Sequence, residues 1–340
     1  MFKFVDFFAG VWWFHLALSR LWGQCVSVCE IDKKAMETYR LNFYEHNKEL
    51  FDSWYFFEDI TKLSWNEIPD HDIFCAWFPC QAFSIAWYRK WFEDDRWNLF
   101  FDVARIIEKK KPSVVFLENV KNLVSHDNWN TFKVIKETLV ELWYYVHFKV
   151  LNSHQYWNVP QNRERIYIVW FRDKNAFNRF HFPSKIWLEV SFRDLLNEDA
   201  EEKYYYNNSH LYEKLVEWMK RYDTVYQWRR QYVRENKMWL CPTLTANMWT
   251  GWHNVPLIMD KKWIRKMTPR ETFRMQGYPS NFKLPKLADS HLYKQAGNSV
   301  SVPVLERIGV SILEAINPTI KISPTKLLHS LKLAEFSLVR

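Results

Sequence analysis

Several side chains in this 340-residue sequence stand where they could do chemistry. Cys80, in Phe78-Pro79-Cys80-Gln81, directly follows the apolar run Asp72-Ile73-Phe74-Cys75-Ala76. In α/β folds the carboxyl end of a buried strand is where active sites gather. A thiolate there can attack an electron-poor carbon even when only partly ionised. The same residue could equally be a small buried apolar group, which is the reading given to Cys25, Cys29, Cys75 and Cys241. Glu118 closes the next buried run, Ser113-Val114-Val115-Phe116-Leu117, and would face the same cleft. Protonated, it could donate to a ring nitrogen and draw electrons from a carbon under attack; otherwise it is a capping or surface acid. Arg163 and Arg165 precede the run Ile166-Tyr167-Ile168-Val169 and could bind a phosphate, polarise a carbonyl, or sit in a solvated basic turn. Glu30 ends the strand Val26 to Glu30, about 20 residues after the loop Phe8-Ala9-Gly10, the geometry that sets an acid against ribose hydroxyls. The loop has no G-x-G-x-x-G pattern, so a dinucleotide is not favoured.

These residues need a doubly wound scaffold, and the first half of the chain alternates strand and helix signals accordingly. Strands are expected at 4–8, 26–30, 72–76, 113–117 and 165–169, and helices at 14–21, 33–43 and 98–109. From 183 to about 256 the composition turns polar, aromatic and basic with no βα rhythm, which marks a second domain. A helix at 300–315 is expected to return to the first domain. The expected layout is a catalytic and cofactor-binding domain over 1–183, completed by 290–318, then a unit over 184–289 and a C-terminal extension over 319–340.

Charge and composition narrow the partners. A net charge of +8 suits a polyanion. No apolar run approaches the roughly 20 residues of a membrane span, and the N-terminus carries no signal-peptide pattern. Five cysteines without a repeating spacing disfavour both a disulfide framework and a zinc site, as expected in a reducing cytoplasm.

Taken in order, the motifs resemble the DNA (cytosine-5) methyltransferases of bacterial restriction-modification systems. The matching blocks are Asp6-Phe7-Phe8-Ala9-Gly10, Phe78-Pro79-Cys80-Gln81-Ala82-Phe83-Ser84, Phe92-Glu93-Asp94, Asn98-Leu99-Phe100-Phe101 and Glu118-Asn119-Val120-Lys121-Asn122. They continue with Val159-Pro160-Gln161-Asn162-Arg163-Glu164-Arg165, Thr268-Pro269-Arg270-Glu271 through Gln276-Gly277-Tyr278-Pro279, and Gln295-Ala296-Gly297-Asn298-Ser299-Val300.

The resemblance implies a Rossmann-like S-adenosylmethionine-dependent methyltransferase sheet with a smaller target-recognition domain and double-stranded DNA between them. It implies a flipped-out cytosine, attacked at carbon 6 by Cys80, hydrogen-bonded by Glu118 and supported by Arg163 and Arg165. S-adenosylmethionine is expected on Phe8, Ala9, Gly10, Glu30, Ile31, Asp59, Ile60, Pro79, Leu99, Asn298, Ser299 and Val300, with no metal. DNA contacts are assigned to Ser84, Arg229, Arg230 and Thr243; the arginines could read guanine edges, hold phosphates or simply be solvated. The implied protein is a cytoplasmic bacterial monomer with no membrane partner and a cognate restriction endonuclease acting separately. A tRNA cytosine-5 methyltransferase on the same fold, or an inactive DNA-binding relative, are the competing readings.

The sequence departs from the family in one direction. Tryptophan stands where the family has glycine at Trp12, Trp13, Trp77, Trp87, Trp91, Trp97, Trp129, Trp157, Trp170, Trp249 and Trp252. There are 20 tryptophans and only 6 glycines, against about 24 glycines at the average usage of about 7%. Overpacking costs about 1–3 kcal/mol per site, so these sites together would outweigh the roughly 5–15 kcal/mol stability of a domain. The two counts combined are close to a normal total for both residues. That pattern points to a gene in which UGA encodes glycine but has been read as tryptophan; the alternative is an inactive, Trp-rich relative.

Overall fold

The computed structural model describes residues 1–11, 13–53, 55–78, 99–229, 231–248, 255–320 and 322. Its first layer is a seven-stranded sheet: β1 (Phe2–Phe7), β2 (Gly23–Cys29), β3 (Phe56–Phe57), β4 (Ile73–Trp77), β5 (Val114–Val120), β6 (Tyr145–Asn152) and β7 (Glu164–Phe171). The strands lie in the order β3-β2-β1-β4-β5-β7-β6. Those from β3 to β5 run parallel, whereas β7 is antiparallel to both β5 and β6.

Strict alternation along the central strands explains why helices cover both faces. On one face Phe4, Ile73, Cys75, Val114 and Phe116 join the core of the helices Trp13–Ser19, Lys33–Phe43 and Val302–Ile316. On the other, Val5, Phe7, Phe74, Ala76, Val115 and Leu117 pack against Leu99–Lys110 and Asn130–Glu141. Each of the Val, Leu, Ile and Phe side chains among them contributes about 1.5–3 kcal/mol on burial. The sheet order reverses direction at β1, with β2 on one side and β4 on the other. Ligands of open α/β sheets bind at such a switch point, beyond the carboxyl ends of the strands.

The expected elements are present with shifted ends. The helix Lys33–Phe43 has the bounds read from the sequence, with Asp32 accepting from the N–H groups of Lys34 and Ala35 at its start. β5 runs through Glu118 and Asn119, the residues expected to close it, and ends at Val120. β3 and β6 were not anticipated: β3 has two residues, and β6 is an edge strand in which all residues but Leu151 are exposed or partly so. The final helix does return to the first sheet, where Arg20 and the buried Glu306 form an ion pair of 2.6 Å.

A second, four-stranded antiparallel sheet has the order β11-β10-β8-β9, from β8 (Tyr226–Trp228), β9 (Val233–Glu235), β10 (Leu257–Met259) and β11 (Ile264–Lys266). It has its own small core of Tyr206, Leu215, Met219, Tyr226, Trp228, Val233, Leu257 and Ile264. The Thr268-Pro269-Arg270-Glu271 block starts a helix with a capping box, Thr268 and Glu271 accepting each other's backbone N–H. The Glu271 carboxylate also takes a two-pronged contact from buried Arg265, 2.8 Å on each arm. Among the described residues no helix is long and apolar enough to cross a membrane.

Candidate functional site

A cavity of about 200 Å³ opens at the carboxyl ends of β1, β2 and β4. Its formation follows from the loop after β1. Phe8 and Gly10 both take left-handed backbone, with φ of 56° each. The Ala9 N–H is meanwhile tied to the Cys29 carbonyl at 3.2 Å. The turn leaves the Gly10 N–H free to donate to Glu30 Oε2 at 2.7 Å, while Glu30 Oε1 accepts from the Asp32 N–H at 2.7 Å. Burial pushes the Glu30 carboxyl above its usual range, and the two backbone donors oppose that shift. Asp6 sits beneath the loop, accepting from the His15 N–H at 3.1 Å at the start of the helix Trp13–Ser19.

Of the residues expected around a cofactor, Phe8, Gly10, Glu30, Ile31, Asp59, Ile60, Leu99 and Asn298 line this cavity. Ala9, Ser299 and Val300 do not: each is buried behind the wall. The Ser299 hydroxyl instead meets that of Tyr278 at 2.7 Å. Pro79 lies outside the described residues. Sequence reasoning missed Asp32, Glu58, Lys294 and Gln295, which also line the cavity. Lys294 pairs with Asp32 at 2.9 Å across it. The neighbour of a recognised strand-end acid could have flagged Asp32, but a lysine more than 250 positions away could not be seen.

The acids and apolar walls suit a nucleoside: Glu30 at the end of β2 and Asp59 beside Ile60. The remaining space is narrow. Trp13 and Trp77 stack inside the cavity with ring centroids 6.1 Å apart and planes 27° from parallel. The Trp13 indole N–H donates to the Ala9 carbonyl. Ligand pockets typically measure about 300–1,000 Å³, so these indoles occupy room that a nucleoside with an amino-acid tail would require.

Beside the cavity, β5 carries Glu118 opposite Trp77 in the sheet register. The Glu118 side chain is fully buried. Among the described residues neither of its carboxyl oxygens has a hydrogen-bond partner. Burial pushes the carboxyl up to about 7, against the opposing pull of Arg165 and Arg163. Arg165 approaches it at 3.3 Å from Nε to Oε1, an ion pair without a hydrogen bond. A proton-holding acid in a dry site, next to a cation that steadies its anion, is suited to protonating a ring nitrogen near neutral pH. Asn119 fixes the neighbouring turn, donating to the Phe78 carbonyl at 2.7 Å. Cys80 and Ser84 fall outside the described residues.

Arg163 differs from its expected place beside the substrate. It is buried and committed to backbone carbonyls, donating to Leu244 at 2.7 Å, Gly297 at 3.2 Å and Ser299. Gln161 adds contacts to Met275 at 2.6 Å and Gln276 at 3.3 Å, and Gln276 donates to the Ala296 carbonyl at 2.9 Å. Several of the ordered blocks therefore meet in one buried knot that joins the two sheets' supporting segments. Thr243 is half-exposed beside this knot, its hydroxyl donating to the Asn162 carbonyl at 2.6 Å. Arg229 is exposed in the turn after β8, and Arg230 lies outside the described residues.

A parallel-rich sheet with a switch-point cavity and an acid at its rim defines the S-adenosylmethionine-dependent methyltransferase class. The chain matches the C-5 cytosine-specific DNA methylase family over residues 2–314 and belongs to it. It is a DNA cytosine-5 methyltransferase that uses S-adenosylmethionine. It is 48% identical over 322 residues to the Type II methyltransferase M.Bsp6I of Bacillus sp. (strain RFL6), covering 93% of this chain and 100% of that one. It is 39% identical over 328 residues to the Type II methyltransferase M.HhaI of Haemophilus parahaemolyticus, covering 93% and 95%. The fold is shared with the solved Dnmt2 methyltransferase of S. pombe, with a TM-score of 0.69 at 19% identity over 93% of this chain and all of the other.

Proposed function

We propose that this enzyme methylates carbon 5 of a flipped-out cytosine through a transient bond from Cys80 to carbon 6. The observation that carries the reading is Glu118, a buried acid pushed up to about 7 with Arg165 at 3.3 Å. Glu118 stands opposite Trp77, and Cys80 follows Trp77 by three residues, a chain length of at most about 11 Å. Glu118 donates to ring nitrogen 3 of the base, which draws electrons from carbon 6. The Cys80 thiolate adds there, and the electron pair shifts to carbon 5. S-adenosylmethionine would supply the electrophilic methyl group that carbon 5 takes up, leaving as the neutral thioether S-adenosylhomocysteine. Loss of the carbon-5 proton to a base then expels the Cys80 thiolate, returns the nitrogen-3 proton to Glu118 and leaves 5-methylcytosine.

Arg165 steadies the charge that moves onto Glu118 and the ring. Arg163 is a positioning residue, because both of its terminal nitrogens donate to backbone carbonyls of the knot. Glu30, Asp59, Ile60, Leu99 and Asn298 hold the cofactor. The segment 184–289 with the second sheet recognises the target duplex, and the protein works as a cytoplasmic bacterial monomer whose cognate endonuclease acts separately. Incubation with 5-fluorocytosine duplex and S-adenosylmethionine tests the chemistry, since fluorine cannot leave as the proton does. A trapped adduct on Cys80 is the expected result; an adduct on Cys75 or Cys241, or none while ordinary cytosine is methylated, overturns it.

A further inference from the structure

Among the described residues, four of the nine non-glycine residues with positive φ are tryptophans: Trp22 at 62°, Trp129 at 73°, Trp143 at 66° and Trp239 at 54°. That region is strained for a side chain with a Cβ and open to glycine. All four indoles are more than half exposed, so no packing compensates the strain. Trp143 shows the geometry most plainly. It follows the helix Asn130–Glu141, its N–H bonded to the Val140 carbonyl at 2.9 Å and the Tyr144 N–H to the Leu139 carbonyl at 3.1 Å. This is the Schellman pair of hydrogen bonds, with Trp143 in the left-handed position glycine ordinarily fills. Elsewhere the cost takes other forms. Trp170 is fully buried in β7 and its indole N–H has no partner among the described residues, a desolvation penalty for a buried donor. Trp13 and Trp77 narrow the cofactor cavity.

Backbone strain, an orphaned donor and a filled ligand site are unrelated faults, and one substitution cures all three. We infer that glycine occupies Trp13, Trp22, Trp77, Trp129, Trp143, Trp170 and Trp239 in the protein as its own cells make it, through UGA read as glycine. Trp22, Trp143 and Trp239 were not among the glycine positions that the sequence comparison with the family pointed to; the backbone alone assigns them. Trp228 lies in β8 with ordinary strand backbone and packs into the second core, and is a genuine tryptophan encoded by UGG. The test is the codon at each position together with peptide masses of the protein isolated from its source cells. UGA codons and glycine masses at the seven positions, with UGG and tryptophan mass at Trp228, are expected. UGG at Trp13, Trp77 and Trp143 overturns the inference. A binding measurement gives an independent arm: the chain carrying Trp13→Gly and Trp77→Gly should bind S-adenosylmethionine at least about 10-fold more tightly than the chain as written, since relief of overpacking at even one site is worth about that factor. Equal affinity of the two overturns the inference for the cavity.

A second inference rests on the groove of about 680 Å³ between β8–β9 and the knot. Gln227 and Arg234 are direct cross-strand partners. The buried Gln227 carbonyl accepts from Arg229 at 3.3 Å and from Arg234, which also reaches Asn236 at 3.1 Å. One neutral acceptor thus holds two cations side by side, an arrangement that costs energy until an electron-rich partner arrives. The same groove is lined by Asn162 and Thr243, the neighbours of the catalytic knot. Resting on the DNA methyltransferase reading, we propose that Arg229 and Arg234, set by Gln227, read guanine edges in the major groove of the target. A guanidinium fork matches the paired acceptors of guanine, and lysine cannot reproduce it.

The test methylates a random-sequence duplex library with the cofactor-binding form of the enzyme and reads the product by bisulfite sequencing. Arg234→Lys and Arg229→Lys should each relax one guanine position of the motif by roughly 10- to 100-fold while the rest of the motif stands. An unchanged motif with a uniformly lower rate and a shallower salt dependence marks the arginines as phosphate contacts and overturns the proposal. Gln227→Ala, which removes the shared acceptor but no charge, should blur the same positions; unaltered selectivity there counts equally against it. If the parent enzyme methylates no duplex at all, the DNA reading falls, and this proposal with it.

Discussion

Glu118→Gln isolates what it costs to keep a carboxyl group dry. In the native protein Glu118 holds its proton up to about pH 7, whereas an ordinary glutamate loses it near 4.5. Between those values the folded state binds more protons than the unfolded one, so stability falls as pH rises through the window. An interval of about 2.5 units at about 1.4 kcal/mol each amounts to about 3.5 kcal/mol. Glutamine has no proton to lose. The difference in unfolding free energy, variant minus parent, should therefore grow by about 3.5 kcal/mol from about pH 4 to about pH 8. The attraction of Arg165 and Arg163 to the carboxylate is already contained in that folded-state value and adds nothing further. Methyl transfer should fall by on the order of 10²–10⁴-fold, with S-adenosylmethionine affinity nearly unchanged. Urea unfolding of both proteins across pH supplies the first quantity and labelled methyl transfer the second. A stability difference that stays flat with pH would show that Glu118 is ionised throughout, and the desolvation argument would be wrong. A collapse of cofactor affinity with turnover intact would move Glu118 into the cofactor site.

Cys80→Ser should abolish methyl transfer yet keep duplex affinity, because phosphate contacts supply most of that affinity; near-normal turnover in a single-turnover assay refutes the nucleophile. Glu30→Gln leaves one carbonyl oxygen where two carboxylate oxygens now accept from Gly10 and Asp32. It should weaken cofactor binding about 10-fold, the loss of one charge-assisted hydrogen bond, and calorimetry that finds no change refutes its place in the site. Glu271→Gln weakens the buried pair with Arg265; Asp260 still compensates the guanidinium at 2.5 Å, so the loss should be about 1.5–3 kcal/mol, that of a charge-assisted hydrogen bond. Activity per folded molecule should survive, and a specific loss of kcat at low temperature would contradict a purely structural role.

Local pattern and spacing singled out Cys80, Glu118 and Glu30 as candidates, because each follows or ends an apolar run whose length and period identify a strand, and the resemblance to a family gave them their expected roles. The helix Lys33–Phe43 was legible to the residue, since Asp32 announces its cap. The sequence also carried the excess of tryptophan over glycine. It could not reveal the edge strands β3 and β6, since such strands are fixed by hydrogen bonds to a neighbouring strand and not by composition. Nor could it show that Arg163 is consumed by carbonyls of residues up to 136 positions away, or that Lys294 closes the cofactor cavity against Asp32. Backbone φ has no signature in a residue's name, so the left-handed tryptophans at 22, 143 and 239 emerged only from the fold. Sequence records which groups are present and their order along the chain. Burial, register and long-range pairing depend on chain segments brought together from far apart, and those decided which carboxyl is dry, which arginine is held by backbone carbonyls and which two share one acceptor.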